Sequence, residues 1–207
     1  GACTLIASDK TGTLTANRLT ARRLELADGT PLAVEGEAFD LEGDLRAERG
    51  APEEAARASA TRLAEAGALV NEGRLVGAGE DLEVEGDAVD VAFLVLARKL
   101  GRDREDLLEE RPRLAHLPFE SDRRFAASVH RVEGRSVAYV KGAAETVGRM
   151  CAGVDPEQLA AREEALAREG FRVLAVAAGD TDVEEGEAID EARLGGLDFL
   201  GLVGLID

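Results

Sequence analysis

Tryptophan is missing from this 207-residue chain, tyrosine occurs once, and six phenylalanines supply the remaining aromatic rings. Recognition of a ligand through a flat ring therefore falls to very few side chains. Cysteine is almost absent: Cys3 and Cys151 have no metal-ligand spacing, which points to a reduced, cytosolic setting. His116 and His130 also stand alone and are expected to be strand residues rather than ligands. No apolar run approaches the 18 or more residues that span a bilayer, and no signal-peptide pattern precedes the first expected strand, so a soluble piece is expected. Positive charge is short. The net charge of -17 argues against nucleic acid and anionic membranes, and lysine occurs only as Lys10, Lys99 and Lys141. A polyanionic ligand would thus need a locally positive site. What remains is enough apolar residue, 45% of the chain, for one substantial core.

The most informative stretch lies near the start. Ala2–Ala7 is short, apolar and partly branched, and Ser8-Asp9-Lys10-Thr11-Gly12-Thr13-Leu14-Thr15 follows it. This pattern predicts a buried strand with Asp9 at its carboxyl end, the edge at which open α/β sheets bind ligands. A carboxylate held there, beside a glycine turn and several hydroxyls, suits nucleophilic attack on phosphorus.

Further along, residues 18 to 26 and 32 to 34 read as strands joined at Asp28-Gly29, and 39 to 50 as loop or short helix. Pro52, Glu53 and Glu54 open an alanine-rich helix to about Val70, and a short strand is expected near Gly73 to Val76. Asp87 is placed to cap a helix over 91 to 100 that Gly101 stops. Three antiparallel strands follow at 114–119, 124–132 and 135–141, the last two joined at Glu133-Gly134. Helices are expected at 144–150 and from Asp155-Pro156 to Glu169, then a central strand at 171–177, a mobile acidic stretch from Asp180 to Arg193, and a last strand from Leu197.

Three places in this plan carry binding chemistry. Phe119 stands among polar residues and arginines, either as a flat face for a purine or as a core ring at a strand end. Lys141 precedes Gly142, where a missing side chain lets a ligand approach the backbone. Arg172 is the lone cation of an apolar run; buried bare it would be costly, so it needs either a carboxylate or an anionic ligand.

Asp9-Lys10-Thr11-Gly12-Thr13 resembles the phosphorylation motif of the P-type cation-transporting ATPases. Further segments resemble the same family in its order: Gly86-Asp87-Ala88-Val89-Asp90, Phe119 to Arg124, Lys141-Gly142-Ala143, Arg172 to Ala175, and the closing Phe199 to Asp207. The resemblance implies an α+β fold: a twisted antiparallel sheet flanked by helices, with short remnants of a Rossmann-like phosphorylation domain at both ends. It implies three parts: residues 1–17 with the phosphorylation loop, 18–195 as nucleotide-binding domain, and 196–207 as return strand.

By the same resemblance Asp9 accepts the γ-phosphate of ATP as an aspartyl phosphate, Lys10 screens charge, and Asp9 with Thr11 binds Mg²⁺. Phe119 stacks on adenine, Asp90 approaches its amino group, Lys141, Gly142 and Ala143 line its pocket, and Arg124 and Arg172 meet the phosphates. Ala88 and Asp90 replace the family's proline and glutamate, and Arg124 its usual lysine. Phe125 is the nearest alternative stacker, and strand parity turns it away.

The resemblance further implies a place on the cytoplasmic face of a membrane-embedded transporter of the calcium or sodium/potassium type. The partners are then the rest of the phosphorylation domain, an actuator domain and transmembrane helices. The piece itself is expected to be a monomer that binds ATP without turnover. Two other readings stay open: a phosphatase of the haloacid dehalogenase group using Asp9, and a nucleotide-binding module without chemistry. Thr11 stands against the phosphatase, because such enzymes place a second aspartate there and a hydroxyl is a poor general base near neutral pH.

Overall fold

The computed structural model describes residues 19–36, 41–48, 50–77 and 82–207. The expected strand at Ala2–Ala7 and the loop carrying Asp9, Lys10 and Thr11 lie outside these residues.

Among the described residues, ten strands and five α-helices form three layers. Eight strands make one antiparallel sheet in the order β3-β2-β1-β10-β9-β8-β7-β6. They are β1 (Thr20–Leu26), β2 (Pro31–Val34), β3 (Leu45–Arg46), β6 (Arg113–Glu120), β7 (Phe125–Val132), β8 (Arg135–Gly142), β9 (Arg172–Asp180) and β10 (Asp198–Ile206). A separate two-stranded ribbon pairs β4 (Arg74–Val76) with β5 (Glu83–Glu85). The helices are α1 (Glu54–Leu69), α2 (Ala88–Lys99), α3 (Arg104–Glu110), α4 (Ala144–Met150) and α5 (Pro156–Arg168).

The alternation of side chains along each strand assigns them to two cores. Ala126, Tyr139, Val176, Val203 and Leu205 face α1, α2 and α3. Their neighbours Phe125, Ala127, Val140, Ala175 and Leu202 face α4 and α5. The alanines of α1 do what small residues allow, which is close approach. Its last turns are buried from Leu63 to Leu69, and a Cβ on Gly67 would run into the ring of Phe93 on α2.

Local signals set most boundaries. Gly29 at φ 87°, with Asp28 accepting from the Thr30 N–H at 2.9 Å, closes the first hairpin. Asp87 caps α2 by accepting from the Val89 N–H at 2.8 Å, and Gly101 at φ 76° ends it. Asp155 caps α5 through the Glu157 and Gln158 N–H groups, and the Gln158 side chain reaches back to the Asp155 carboxylate at 2.9 Å. Glu133 and Gly134 carry the positive φ of a tight hairpin, 49° and 80°.

Four expectations need correction. In the segment expected as loop or short helix, Leu45–Arg46 pairs with β2 and buries Leu45. Helix α3 and strand β5 were not anticipated, the first being a single short amphipathic turn pair around buried Leu107. Pro52 stands before the N-cap of α1, Glu53, rather than inside its first turn. The acidic stretch after Asp180 is packed: Val183 and Ile189 are buried, and Arg193 clasps Asp182 and Glu187. Strand β10, expected as the return strand, sits inside the sheet between β1 and β9.

Candidate functional site

A cavity of about 280 Å³ opens between the α1–α2 layer and the sheet, over strands β6 to β9. Its walls bring together Asp90, Phe119, Lys141, Gly142 and Arg172. These come from five places in the sequence, and the sheet register explains their meeting. Lys141 lies opposite Ala126 on β7 and Val176 on β9, so all three share the face toward α2. Leu174 and Arg172 follow at alternate positions on the same face of β9.

Phe119 reaches that face through an irregularity. Leu117 pairs with Ala127 and Glu120 with Phe125, so three residues on β6 span two on β7. The extra residue is a β-bulge at Pro118-Phe119, and it rotates Phe119 onto the side of His116 and Lys141. Without it Phe119 would point with Leu117 toward α4. The ring is 56% exposed, whereas Phe125 is fully buried in the opposite core. A ring this open at the mouth of a cavity is available for stacking.

At the cavity floor, Lys141 Nζ donates to Asp90 Oδ1 at 2.6 Å and lies 3.4 Å from the Gly67 carbonyl and 5.0 Å from the centre of the Phe93 ring. Burial pushes Lys141 below the usual lysine range, and Asp90 pulls it back. Asp90 Oδ2 accepts from the Glu72 N–H at 3.0 Å, and the Asn71 side chain donates to the Asp90 carbonyl. Asp90 thus holds Lys141 and the Asn71–Glu72 turn in place. Removing the carboxylate would leave a buried ammonium unpaired, a change that typically costs about 3–5 kcal/mol.

Arg172 does not carry the burial cost anticipated for it. It opens β9 as an exposed residue on the cavity wall, and among the described residues no carboxylate pairs with it. Gly142 is also explained differently. The space a Cβ would take is filled by the Arg124 carbonyl and the Phe125 backbone, so glycine here lets the start of β7 cross rather than a ligand approach. Arg124 occupies the left-handed region at φ 62° in the β6–β7 turn and pairs with Glu145 at 3.6 Å, away from the cavity wall. Ala143 caps α4, donating its N–H to the Arg124 carbonyl at 3.0 Å, and does not line the cavity.

Other wall residues, among them Asn71, Glu72, Asp87 and His116, were not anticipated. His116 gave no readable signal, since it stands three residues before Phe119, a spacing that puts the two on opposite faces of a regular strand. The expectation of a positive site is met only at one end. Glu72, Asp87 and Asp90 outnumber Lys141 and Arg172, but Asp87 is spent on its helix cap and Asp90 on Lys141. The Lys141 end therefore carries more carboxylate than cation and suits an uncharged ring, while the Arg172 end suits anionic groups.

The sequence matches the family model described as P-type ATPase, cytoplasmic domain N, over residues 59–207. The chain belongs to this family. Relatives of this N domain include the cation-transporting ATPase pma1 of Synechocystis, 33% identical over the whole chain and 24% of the relative. The human calcium-transporting ATPase type 2C member 2 is 31% identical over the whole chain and 22% of its own length, and type 2C member 1 is 30% identical over similar shares. The chain thus spans about a quarter of the length of these curated relatives. The α+β architecture inferred from the sequence is the one observed, and no helix among the described residues is long and apolar enough to cross a membrane.

Proposed function

We propose that this N domain binds ATP, with adenine stacked on Phe119 over the Lys141–Asp90 pair and the phosphates running toward Arg172. The observation that carries this reading is the convergence of Phe119, Lys141 and Arg172 on one cavity. Strands β6 and β9 are three spacings apart, roughly 14 Å, which matches the reach from a base to a polyphosphate. Arg172, which has no carboxylate partner among the described residues, takes the phosphate role; Arg124, held near Glu145, plays a lesser part.

The crossing points of the chain fit delivery of that phosphate. Thr20 pairs with Ile206, so β1 and β10 leave the sheet side by side, and Arg172 pairs with Leu205 at the same end. In the whole pump, a hinge at this end presents the γ-phosphorus to Asp9. An Asp9 carboxylate oxygen attacks it, the bond to the bridging oxygen breaks, and ADP leaves while Lys10 screens charge. Asp9 and Thr11, with the phosphates of the nucleotide, would hold the Mg²⁺ that screens the transferred charge. By the names of its relatives, the pump moves a cation, with calcium favoured.

The test is an ATP titration followed by backbone amide shifts. Perturbation centred on Phe119, Lys141 and Arg172 supports the reading. Shifts confined elsewhere, or rapid hydrolysis of a simple phosphate ester by the chain, contradict it.

A further inference from the structure

The two histidines differ in how their nitrogens are used. On β7, His130 is fully buried, with Nδ1 2.8 Å from the Arg111 carbonyl and Nε2 2.9 Å from the Ser128 hydroxyl. Its hydrogen-bonding capacity is spent. His116 sits on β6 opposite Ser128, on the cavity face, with its side chain 18% exposed. The nearest charged partner is Glu72 Oε1, 3.6 Å from Nδ1, too far for a good hydrogen bond. Neither ring nitrogen makes a hydrogen bond among the described residues, and the ring lines the Phe119 end of the cavity.

We propose that His116 reads the purine edge, one nitrogen of its neutral imidazole accepting a hydrogen bond from the base that Phe119 stacks. This deepens the ATP-binding reading above and rests on it. The chemistry follows from the tautomers: neutral imidazole can donate through one nitrogen and accept through the other, while imidazolium only donates. A protonated His116 gains an ion pair with Glu72 and loses its acceptor, so the charged form favours the empty site. The groups around it are Glu72 from the turn after α1, Asp90 from α2, Arg104 from α3 and Arg113 from β6 itself. Burial, helped by the two arginines, lowers the histidine below its ordinary 6.5 against the pull of Glu72 and Asp90. At neutral pH the reading form is therefore the one present. Purine binding must lower the histidine further and must weaken in acid.

Adenosine is the probe, because it carries no phosphate that titrates in this range. The measurement on the unmodified chain is the pH titration of the His116 ring proton by NMR, with and without saturating adenosine. The expected result is a midpoint moved to lower pH by adenosine, with that of His130 unchanged. His116→Ala should weaken adenosine about three- to tenfold at neutral pH, the range of one lost hydrogen bond. His116→Gln, which keeps a donor and an acceptor, should stay within about twofold and lose the acid weakening.

An unmoved His116 midpoint while amides at Phe119 and Lys141 shift overturns the inference and leaves the ATP reading standing. Adenosine and ATP that perturb neither region overturn both.

Discussion

At the scale of single residues, exposure separates binding from folding. Phe119 is more than half exposed, so its replacement removes stacking and little packing. Phe119→Ala should weaken ATP by about 1–3 kcal/mol, the usual worth of an aromatic under a base. Unfolding free energy should change by less than about 0.5 kcal/mol. Calorimetric titration beside a denaturant melt checks both halves. His130 is the opposite case. Burial pushes its pKa down to about 4, from 6.5 in an unfolded chain. Between these values the unfolded state binds the extra proton, so stability rises with pH across that window and is lost as pH falls through it. The contribution is about 3 kcal/mol. His130→Gln should remove that part of the acid destabilisation, read as a smaller stability difference between pH 7 and pH 4.

At this scale the site was legible where a residue type was rare: Phe119 in a chain without tryptophan, Lys141 among three lysines. Arg124 was less so. Its motif position suggested a phosphate contact, but a left-handed turn carries its side chain toward Glu145. Gly142 has the right identity for a reason invisible to one-dimensional reading, the crossing of a strand three-dimensionally adjacent to it.

Among elements, the bulge in β6 is the device on which the cavity depends. Alternation alone would send Leu117 and Phe119 to the same face; one extra residue separates them. Deleting Pro118 should restore regular pairing, and Phe119, then next to Leu117, should keep the cavity face opposite Ala126. The expected outcome is ATP affinity retained within about threefold by a folded sheet. ATP binding weakened as far as in Phe119→Ala, with the circular dichroism of the folded chain retained, would contradict the face assigned to Phe119. No bulge could be read from Leu-Pro-Phe-Glu, although the proline fits one, since it cannot serve a regular ladder. Strands with clean alternation and helices with strong caps were legible to within a few residues, as β8, β9, α2 and α5 show. Short elements held by tertiary contact, β3, β5 and α3, were not. Their few residues carry too little periodic pattern; burial of Leu45 and Leu107 decides β3 and α3, and pairing with β4 decides the exposed β5.

For the whole molecule, strands β6 to β9 carry the cavity, and the Thr20 end of β1 lies beside the Ile206 end of β10, next to Arg172 on β9. A large negative charge surrounds this arrangement, so affinity for a tetra-anion must come from stacking and a few local cations rather than from a general field. The family and layer architecture were readable because motifs recur in order along the chain. The routing of the last strand through the middle of the sheet was not, since sequence order does not give strand order. The central claim, that adenine seats on Phe119 over the Lys141–Asp90 pair, is tested most directly by intermolecular proton contacts in the ATP-bound chain. The account predicts cross-peaks from adenine H2 and H8 to the Phe119 ring and the Lys141 side chain; cross-peaks instead to Phe199 and Leu159, beside the cleft at the start of α5, would contradict it.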